Sequence, residues 1–476
     1  MSKNPHLDEL DEHALYLELF SSVLKMLANE TNRYANRDKN DPYFWITDAE
    51  LGQFLGLLLL SGYNVRHSER DYWSTNPQFE CPYFVKTMPR ARFFKIKRFL
   101  HAADNQRLDS SKMAKVKPLY DLINSCMTVH GILHEELSID ESMIPYFGRH
   151  SCKQFIRSKP IRFGYKMWAL CSSTGMPYNV QIYQGRADSN ECGPLEPLGT
   201  RVVKTLLDVC DEPVNHHVYM DNFFTSYDLL SDLKTSKFRA TGTVRENRLK
   251  KSKLKETATM KKTPRGSFDY CSDSVIEAVK WNDNSVVTIA SNVLGTEPVG
   301  RVKRRVKGKG ETMVQQPNIV KRYNQGMGGV DLMDRALSEF RPCIHGKKWY
   351  WPLLVNALNI SVVYTYRFYC ILKKKFVPHK EFRMALVDGL TKGNGPTAEA
   401  RPYRDPSLRL RYDNFEHRAV STPFPRKCVE CGKRARIQCE KCSKTFHLKV
   451  CFQSYHDPSS GGKKKEKSRF LGSTED

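Results

Sequence analysis

The sequence predicts an α/β core built on one mixed sheet, set between all-helical stretches and closed by a small metal-binding module. Three observations carry that prediction. Apolar residues recur at helical spacing up to about residue 130 and then give way to strand-like runs. Those runs alternate with helical stretches in the order strand, strand, strand, helix, strand, helix, strand. Finally, five cysteines and two histidines crowd into residues 428–456.

Composition sets the outer limits. The 476 residues exceed what one core holds, so several domains are expected. With 40% hydrophobic and 27% charged residues the chain is globular. Its 76 Lys and Arg against 52 Asp and Glu leave a net charge of +24, which points to a polyanionic partner such as nucleic acid. The most apolar stretch, residues 54–60, falls far short of the roughly 20 residues that span a bilayer, so no membrane partner is expected. The opening MSKNPHLDEL has no basic-then-apolar leader, which predicts an intracellular chain with reduced thiols. Nine scattered cysteines (Cys81, Cys126, Cys152, Cys171, Cys192, Cys210, Cys271, Cys343 and Cys370) then read as buried small hydrophobes.

In chain order, Leu15 to Leu27 and Leu51 to Leu59 carry the 3.6-residue apolar period of helices. PRARFFKIKRFLH at 89–101 mixes basic and aromatic residues, as a DNA-contacting helix or a solvated face would. From Glu136, ELSIDESMI and the runs 165–171 and 178–183 read as strands, the last two separated by Ser172, Ser173, Thr174, Gly175 and Pro177. A helix at 198–210, a strand ending at Asp221, a helix from Ser226 and a strand at 238–245 follow. That order is the one of an RNase H-like sheet lacking its final helix. Residues 248–310 change character, with 15 basic against six acidic residues and two strand-like runs, SVIEAVKW and SVVTIAS. They read as a β-containing subdomain inserted before the last helix, which begins near Gly329. Residues 347–369 read as a buried helix, interrupted by Asn356, Asn359 and tyrosines, and 392–425 as loop.

In the tail, Cys428-x2-Cys431 and Cys439-x2-Cys442 are followed by His447, Cys451 and His456. Two C-x2-C pairs this close specify tetrahedral zinc, because each pair offers two thiolates from one tight turn. Seven ligands are one short of two sites. A cross-braced arrangement assigns Cys428, Cys431, His447 and Cys451 to one Zn²⁺, and Cys439, Cys442 and His456 to the other. His417, a water or another side chain completes the second. With no open position evident, both ions read as structural.

Asp140 lies within an apolar strand, Asp221 ends a strand, and Asp331 begins a helix after Gly328-Gly329. In the RNase H-like order the first and fourth strands are neighbours and the last helix crosses them, so the three carboxylates converge. Packed carboxylates repel unless a cation intervenes, which implies Mg²⁺ or Mn²⁺. Two such ions about 4 Å apart clamp the oxygens of a phosphoryl displacement. Asp334 shares the face of Asp331 and offers a further ligand or outer contact. The plain alternative is that these aspartates are caps and solvated turns.

DESMIPYFGR around Asp140, YMDNFFTS around Asp221, TGTVRENR at 241–248 and YNQGMGGVDLMDR around Asp331 together resemble piggyBac-type DNA transposases, over nearly the whole chain. The resemblance implies an RNase H-like core with Asp140, Asp221 and Asp331 as catalytic triad, two catalytic ions, and Asp334 as a fourth acidic residue. It implies the division 1–134 and 340–414 (an all-α dimerisation and DNA-binding domain in two parts), 135–247 and 316–339 (catalytic core), 248–315 (insertion), 415–460 (cysteine-rich zinc domain) and 461–476 (basic tail). It further implies a nuclear homodimer that acts on double-stranded DNA as endonuclease and strand transferase. Water cuts each 3′ end of the element, the freed 3′-OH forms hairpins within flanking TTAA, and the ends rejoin at a new TTAA site. The zinc tail would recognise the terminal inverted repeats. Arg149, Arg245 and Arg248 match basic positions near the scissile phosphates, and Trp351 matches a tryptophan near a flipped base, although core packing explains it equally. Phe147 stands where a basic residue is common, His447 where cysteine is common, and the long acidic extension of many relatives is missing from this chain. The run KKKEK at 463–467 suits nuclear import or a solvated tail. Two rival readings are a domesticated, non-cutting DNA-binding regulator and a RING- or PHD-like interaction scaffold. Four intact aspartates oppose the first; the basic residues among the zinc ligands oppose the second.

Overall fold

The computed structural model describes residues 5–129, 133–157, 159–185, 196–250, 252–306, 310–392 and 417–456. The chain divides into two compact units, one of residues 1–31 and 46–396, the other of 32–45 and 397–476.

The first unit opens with helices α1 (Glu12–Arg33, whose last residues belong to the second unit), α2 (Asp48–Leu60), α3 (Pro82–Thr87), α4 (Arg90–Phe99) and α5 (Lys117–Thr128). Thr47 caps α2 by accepting the Glu50 amide, and every residue from Leu51 to Leu60 is buried. A helix apolar all round must be covered on all sides. Part of that cover comes from the far end of the unit. Beyond the core lie α11 (Trp351–Leu372) and α12 (His379–Lys392), with α12 packed on α2 and α3 and α11 on α5. On α4, Arg92 is paired with Glu50 (2.5 Å) and Lys97 with Glu69, so a helix surface tied to its neighbours accounts for both cations.

The core between them is one nine-stranded sheet. Its strands are β1 (Glu136–Pro145), β2 (Lys153–Phe155), β3 (Phe163–Ser172), β4 (Pro177–Ile182), β5 (His217–Met220), β6 (Arg239–Thr243), β7 (Phe268–Ser272), β8 (Glu277–Asn282) and β9 (Val286–Ser291). They run in the order β2-β3-β1-β5-β6-β9-β8-β7, with β4 also on β3. Strands β1, β5 and β6 are parallel, while β3 is antiparallel to β1 and β4 to β3. That is the RNase H-like arrangement the sequence predicts. Helices α6 (Leu198–Leu207) and α7 (Tyr227–Thr235) supply the crossovers, and short α8 (Thr257–Met260) precedes β7.

Three expectations change here. The insertion is not a separate subdomain: β9 pairs antiparallel with β6, so β7–β9 continue the core sheet. Only its ribbon, β10 (Gly300–Val306) with β11 (Gly310–Gln316), forms a sheet of its own. That ribbon is held by Val314 against Val279, Trp281 and Ile289. Second, β2 was unforeseen; three residues are too few to show a period. Third, Cys271, Cys343 and Cys370 are half-exposed rather than buried, while Cys192 lies outside the described residues. After the ribbon come α9 (Asn318–Gly326) and α10 (Gly329–Glu339), and α10 packs on β1 and β3.

In the second unit, β12 (Ala419–Lys427), β13 (Arg434–Cys439) and β14 (Lys444–Phe446) make a three-stranded antiparallel sheet, followed by α13 (Val450–His456). A strand thus occupies 419–427, where loop is expected. The core is slight, made of Cys428, Ala435, Cys439, Phe446 and Tyr455.

Candidate active site and metal centres

The last rung between β1 and β5 pairs Ile139 with Met220. Asp140 and Asp221 are therefore the next residues on two adjacent parallel strands: Asp221 directly follows β5, and Asp140 lies mid-strand in β1 where its pairing with β5 stops, on the carboxyl side where open α/β sheets bind ligands. The Glu141 amide donates to Asp140 Oδ1 (2.7 Å) and the Phe223 amide to Asp221 Oδ1 (2.8 Å). Helix α10 brings Asp331 and Asp334 to the same end. It can approach because Gly329 has no side chain: a Cβ there would lie 2.1 Å from the Ser172 carbonyl oxygen. Asp334 accepts a hydrogen bond from Ser142 Oγ (2.5 Å), which shares the Asp140 face of β1 two residues on. Asp331 is solvent-exposed, whereas Asp140, Asp221 and Asp334 are half-buried.

Burial dominates the electrostatics. It pushes the Asp140 carboxyl up to about 7, opposed by Lys159 and aided by Asp221. It lifts Asp334 to about 6 against the Ser142 hydrogen bond, and raises Asp221 as well. Lys159 is the cation set among these groups. Burial disfavours its ammonium, yet Asp140, Glu141 and Asp331 outweigh that and hold its pKa above the usual lysine value. Its Nζ lies 3.4 Å from Glu141 Oε1 and donates to the Glu141 carbonyl (3.3 Å). Lys166, 3.7 Å from the other Glu141 oxygen and 3.8 Å from the Trp168 ring centroid, is pulled below the usual lysine value by burial. Sequence reading missed Glu141, Ser142, Lys159 and Lys166. Only Ser142 had a local signal, its two-residue offset from Asp140.

The donor set fits hard divalent cations. Burial destabilises the anions of Asp140, Asp221 and Asp334, a cost that a cation offsets. The residues that would hold it are Asp140, Asp221, Asp331 and Asp334. Among the described residues, the sets of three or more ligand-type side chains with donor atoms all within 4.8 Å are two, and neither contains an aspartate.

The predicted DNA contacts fare unevenly. Arg149 and Arg245 are exposed, and Arg245 Nε donates to Asn222 Oδ1 (3.2 Å) beside Asp221. Arg248 is half-buried, and its Nη1 donates to the carbonyls of Asn222 (2.9 Å) and Phe223 (2.7 Å), so it braces the Asp221 loop. Trp351 is 4% exposed, with its indole N–H bonded to the Ile344 carbonyl (2.9 Å). It lines a cavity of about 350 Å³, and its burial fits the core-packing alternative.

The two close sets are both in the second unit: Cys428, Cys431, His447 and Cys451; and His417, Cys439, Cys442 and His456. His417 is the eighth ligand-type side chain. A tetrahedron with arms of about 2.1–2.3 Å puts sulfur and nitrogen ligands about 3.5 Å apart. The measured separations are 3.4 Å for His417 Nδ1 to Cys439 and to Cys442, 3.4 Å for Cys442 to His456 Nε2, and 3.4 and 3.7 Å for His447 Nδ1 to Cys431 and Cys451. His447 Nε2 and His456 Nδ1 face the carbonyls of Arg434 (3.1 Å) and Phe452 (2.8 Å), which turns the other nitrogen's lone pair toward a metal. Each C-x2-C turn closes on a left-handed residue, Gly432 (φ 75°) and Ser443 (φ 52°). These sets could bind zinc.

The strand order and the helices that cross it define an RNase H-like α/β fold, and the relatives say which family it serves. A family profile described as Transposase IS4 matches residues 12–366. The chain is 37% identical over 453 residues to the human PiggyBac transposable element-derived protein 3, covering 92% of this chain and 75% of that protein. To the human PiggyBac transposable element-derived protein 2 it is 34% identical over 470 residues, covering 96% and 78%. Its fold matches a cryo-EM structure of the piggyBac transposase synaptic complex with hairpin DNA at a TM-score of 0.68 and 21% identity, covering 94% of this chain and 97% of that one. The chain belongs to the piggyBac-type transposase family.

Proposed function

We propose that the protein is an active cut-and-paste DNA transposase, with Asp140, Asp221 and Asp331 as catalytic carboxylates and Asp334 supporting them. The observation that carries this reading is the placement of Asp140 and Asp221 just past the last paired rung of the neighbouring strands β1 and β5, with α10, which carries Asp331 and Asp334, packed on β1. Bound Mg²⁺ or Mn²⁺, two ions in this reading, would activate the attacking oxygen and stabilise the leaving one. Asp140 and Asp221 hold the ligand oxygens in place through backbone amides, and Ser142 fixes the Asp334 rotamer. Lys159 adds positive charge where the phosphoryl oxygens gather charge. The exposed Arg149 and Arg245 bind flanking phosphates. The hydrolysis of each 3′ end, hairpin formation and rejoining at TTAA belong to this proposal, as do a homodimer, nuclear location and two structural zinc ions in a tail that reads the element's ends. The basic run at 463–467 lies outside the described residues. Similarity to a piggyBac complex determined with hairpin DNA supports the hairpin route.

One observation favours the rival. The human relatives are named as transposable element-derived proteins, which fits a chain kept for DNA binding without cutting. An excision assay on a plasmid bearing the element's own ends separates the two. The intact chain should restore an uninterrupted TTAA, and Asp221→Asn should abolish excision while end binding persists. Equal excision by both proteins, or none by either, would overturn the proposal.

A further inference from the structure

The β2–β3 hairpin carries a surface that the catalytic reading leaves unused. Phe155 and Phe163 are cross-strand partners whose ring centroids lie 4.8 Å apart at 34°. The two residues are nevertheless 58% and 43% exposed. Residues 146–163 contain five Lys and Arg and no Asp or Glu. Lys153 Nζ lies 5.9 Å from the Phe163 ring centroid, and Arg157 and Arg162 are exposed. None of these three cations is ion-paired among the described residues. The position is also informative. The Tyr146 amide donates to the Phe163 carbonyl (3.2 Å), so the ring pair is level with a point six residues along the chain from Asp140. At about 3.3 Å per strand residue that is about 20 Å, or roughly six nucleotide steps of about 3.4 Å.

We propose that this edge is a stacking platform for unpaired DNA bases on a strand running from the active site. Every unpaired base offers a π face whatever its identity, and exposed rings among cations are how single strands are held without sequence preference. A duplex keeps its base faces stacked, so it engages the cations and leaves the rings uncovered. A second copy meeting this edge by two-fold symmetry would set Lys153, Arg157 and Arg162 against their own copies, which disfavours that occupant. The strand's identity rests on the transposase reading, but the proposal concerns binding and not cutting.

The test uses the full chain with a short oligothymidylate carrying 5-iododeoxyuridine, beside a duplex of the same length, at raised salt. Ultraviolet crosslinking and peptide mapping should find adducts on Phe155 or Phe163 with the single strand and not with the duplex. Phe155→Ala/Phe163→Ala should bind the single strand about tenfold more weakly, as expected when a stacking interaction of about 1–3 kcal/mol per base is lost. Arg157→Gln/Arg162→Gln should weaken both ligands together and flatten the salt dependence. Adducts only elsewhere, equal adducts from the duplex, or unchanged affinity in the double alanine variant would overturn the platform. So would a shift of that variant to a smaller species in sedimentation, which assigns the rings to a contact between copies. The Asp221→Asn protein should keep the adducts, so failure of the cutting reading and failure of the platform are told apart.

Discussion

Gly329→Ala is the sharpest probe of whether α10 belongs to the catalytic centre. An alanine Cβ at this first residue of the helix would lie 2.1 Å from the Ser172 carbonyl oxygen and 3.0 Å from Ser138 Cβ. Ordinary contact begins at 3.4 Å, so the helix must withdraw by about 1.3 Å, and a strand carbonyl cannot swing aside as a flexible side chain does. Such overpacking costs about 1–3 kcal/mol. The same withdrawal carries Asp331 and Asp334 away from Asp140 and Asp221, and displacements near 1 Å at a reacting centre cost about 100-fold in rate. The assay is plasmid excision with end binding measured in parallel. Gly329→Ala should excise about 100-fold less at nearly unchanged affinity. Gly328→Ala is the control, because nothing lies within 4 Å of the Cβ it would add; it should excise normally. Wild-type excision by Gly329→Ala would refute the claim that α10 supplies working carboxylates.

Three further outcomes follow from the geometry. Arg248→Ala should slow excision and leave end binding unchanged, because it frees two carbonyls of the Asp221 loop, where hydrogen bonds to a charged group contribute about 1.5–3 kcal/mol each. Unchanged turnover with weakened DNA binding would instead mark Arg248 as a phosphate contact. The Asp140 carboxyl, raised by burial to about 7, contributes stability that is full below pH 3.8 and lost as pH rises toward 7. In magnesium-free buffer Asp140→Asn should therefore raise Tm at pH 8 and not at pH 4, by about 2–4 °C per kcal/mol relieved. Equal Tm at pH 8, read by scanning calorimetry, contradicts the burial. Cys439→Ser should halve the zinc content seen by native mass spectrometry, from two ions to one, and end binding should weaken. Two retained ions would reject Cys439 as a ligand.

The legible parts of the molecule were those whose cause is local. Parallel strands buried on both faces read as apolar runs, so β1 and β5 stood out, and Asp140 within one and Asp221 at the end of the other were conspicuous. The C-x2-C pairs announced themselves by spacing. His417 did not, because it sits 11 residues ahead of Cys428 in no fixed register, and only the β12–β13 pairing brings it to Cys439. The hydrogen bonds joining β6 to β9 through Gly242 and Ala290 likewise leave no trace in either segment, so residues 248–310 looked independent. Motifs named Arg248 and Trp351 correctly as residue types. They could not say that one nitrogen of the first braces backbone carbonyls of the Asp221 loop or that the second is buried.

Continuity from β5 through β6 into β9 has a consequence for engineering and for descent. Excising 248–315 to make a smaller enzyme would strip β6 of its outer ladder and leave bare amides and carbonyls one strand away from Asp221. Such a naked border recruits other chains. The basic stretch therefore cannot be exchanged like a cassette; it is a hem woven into the catalytic fabric, and changes to it will be felt at the cutting edge.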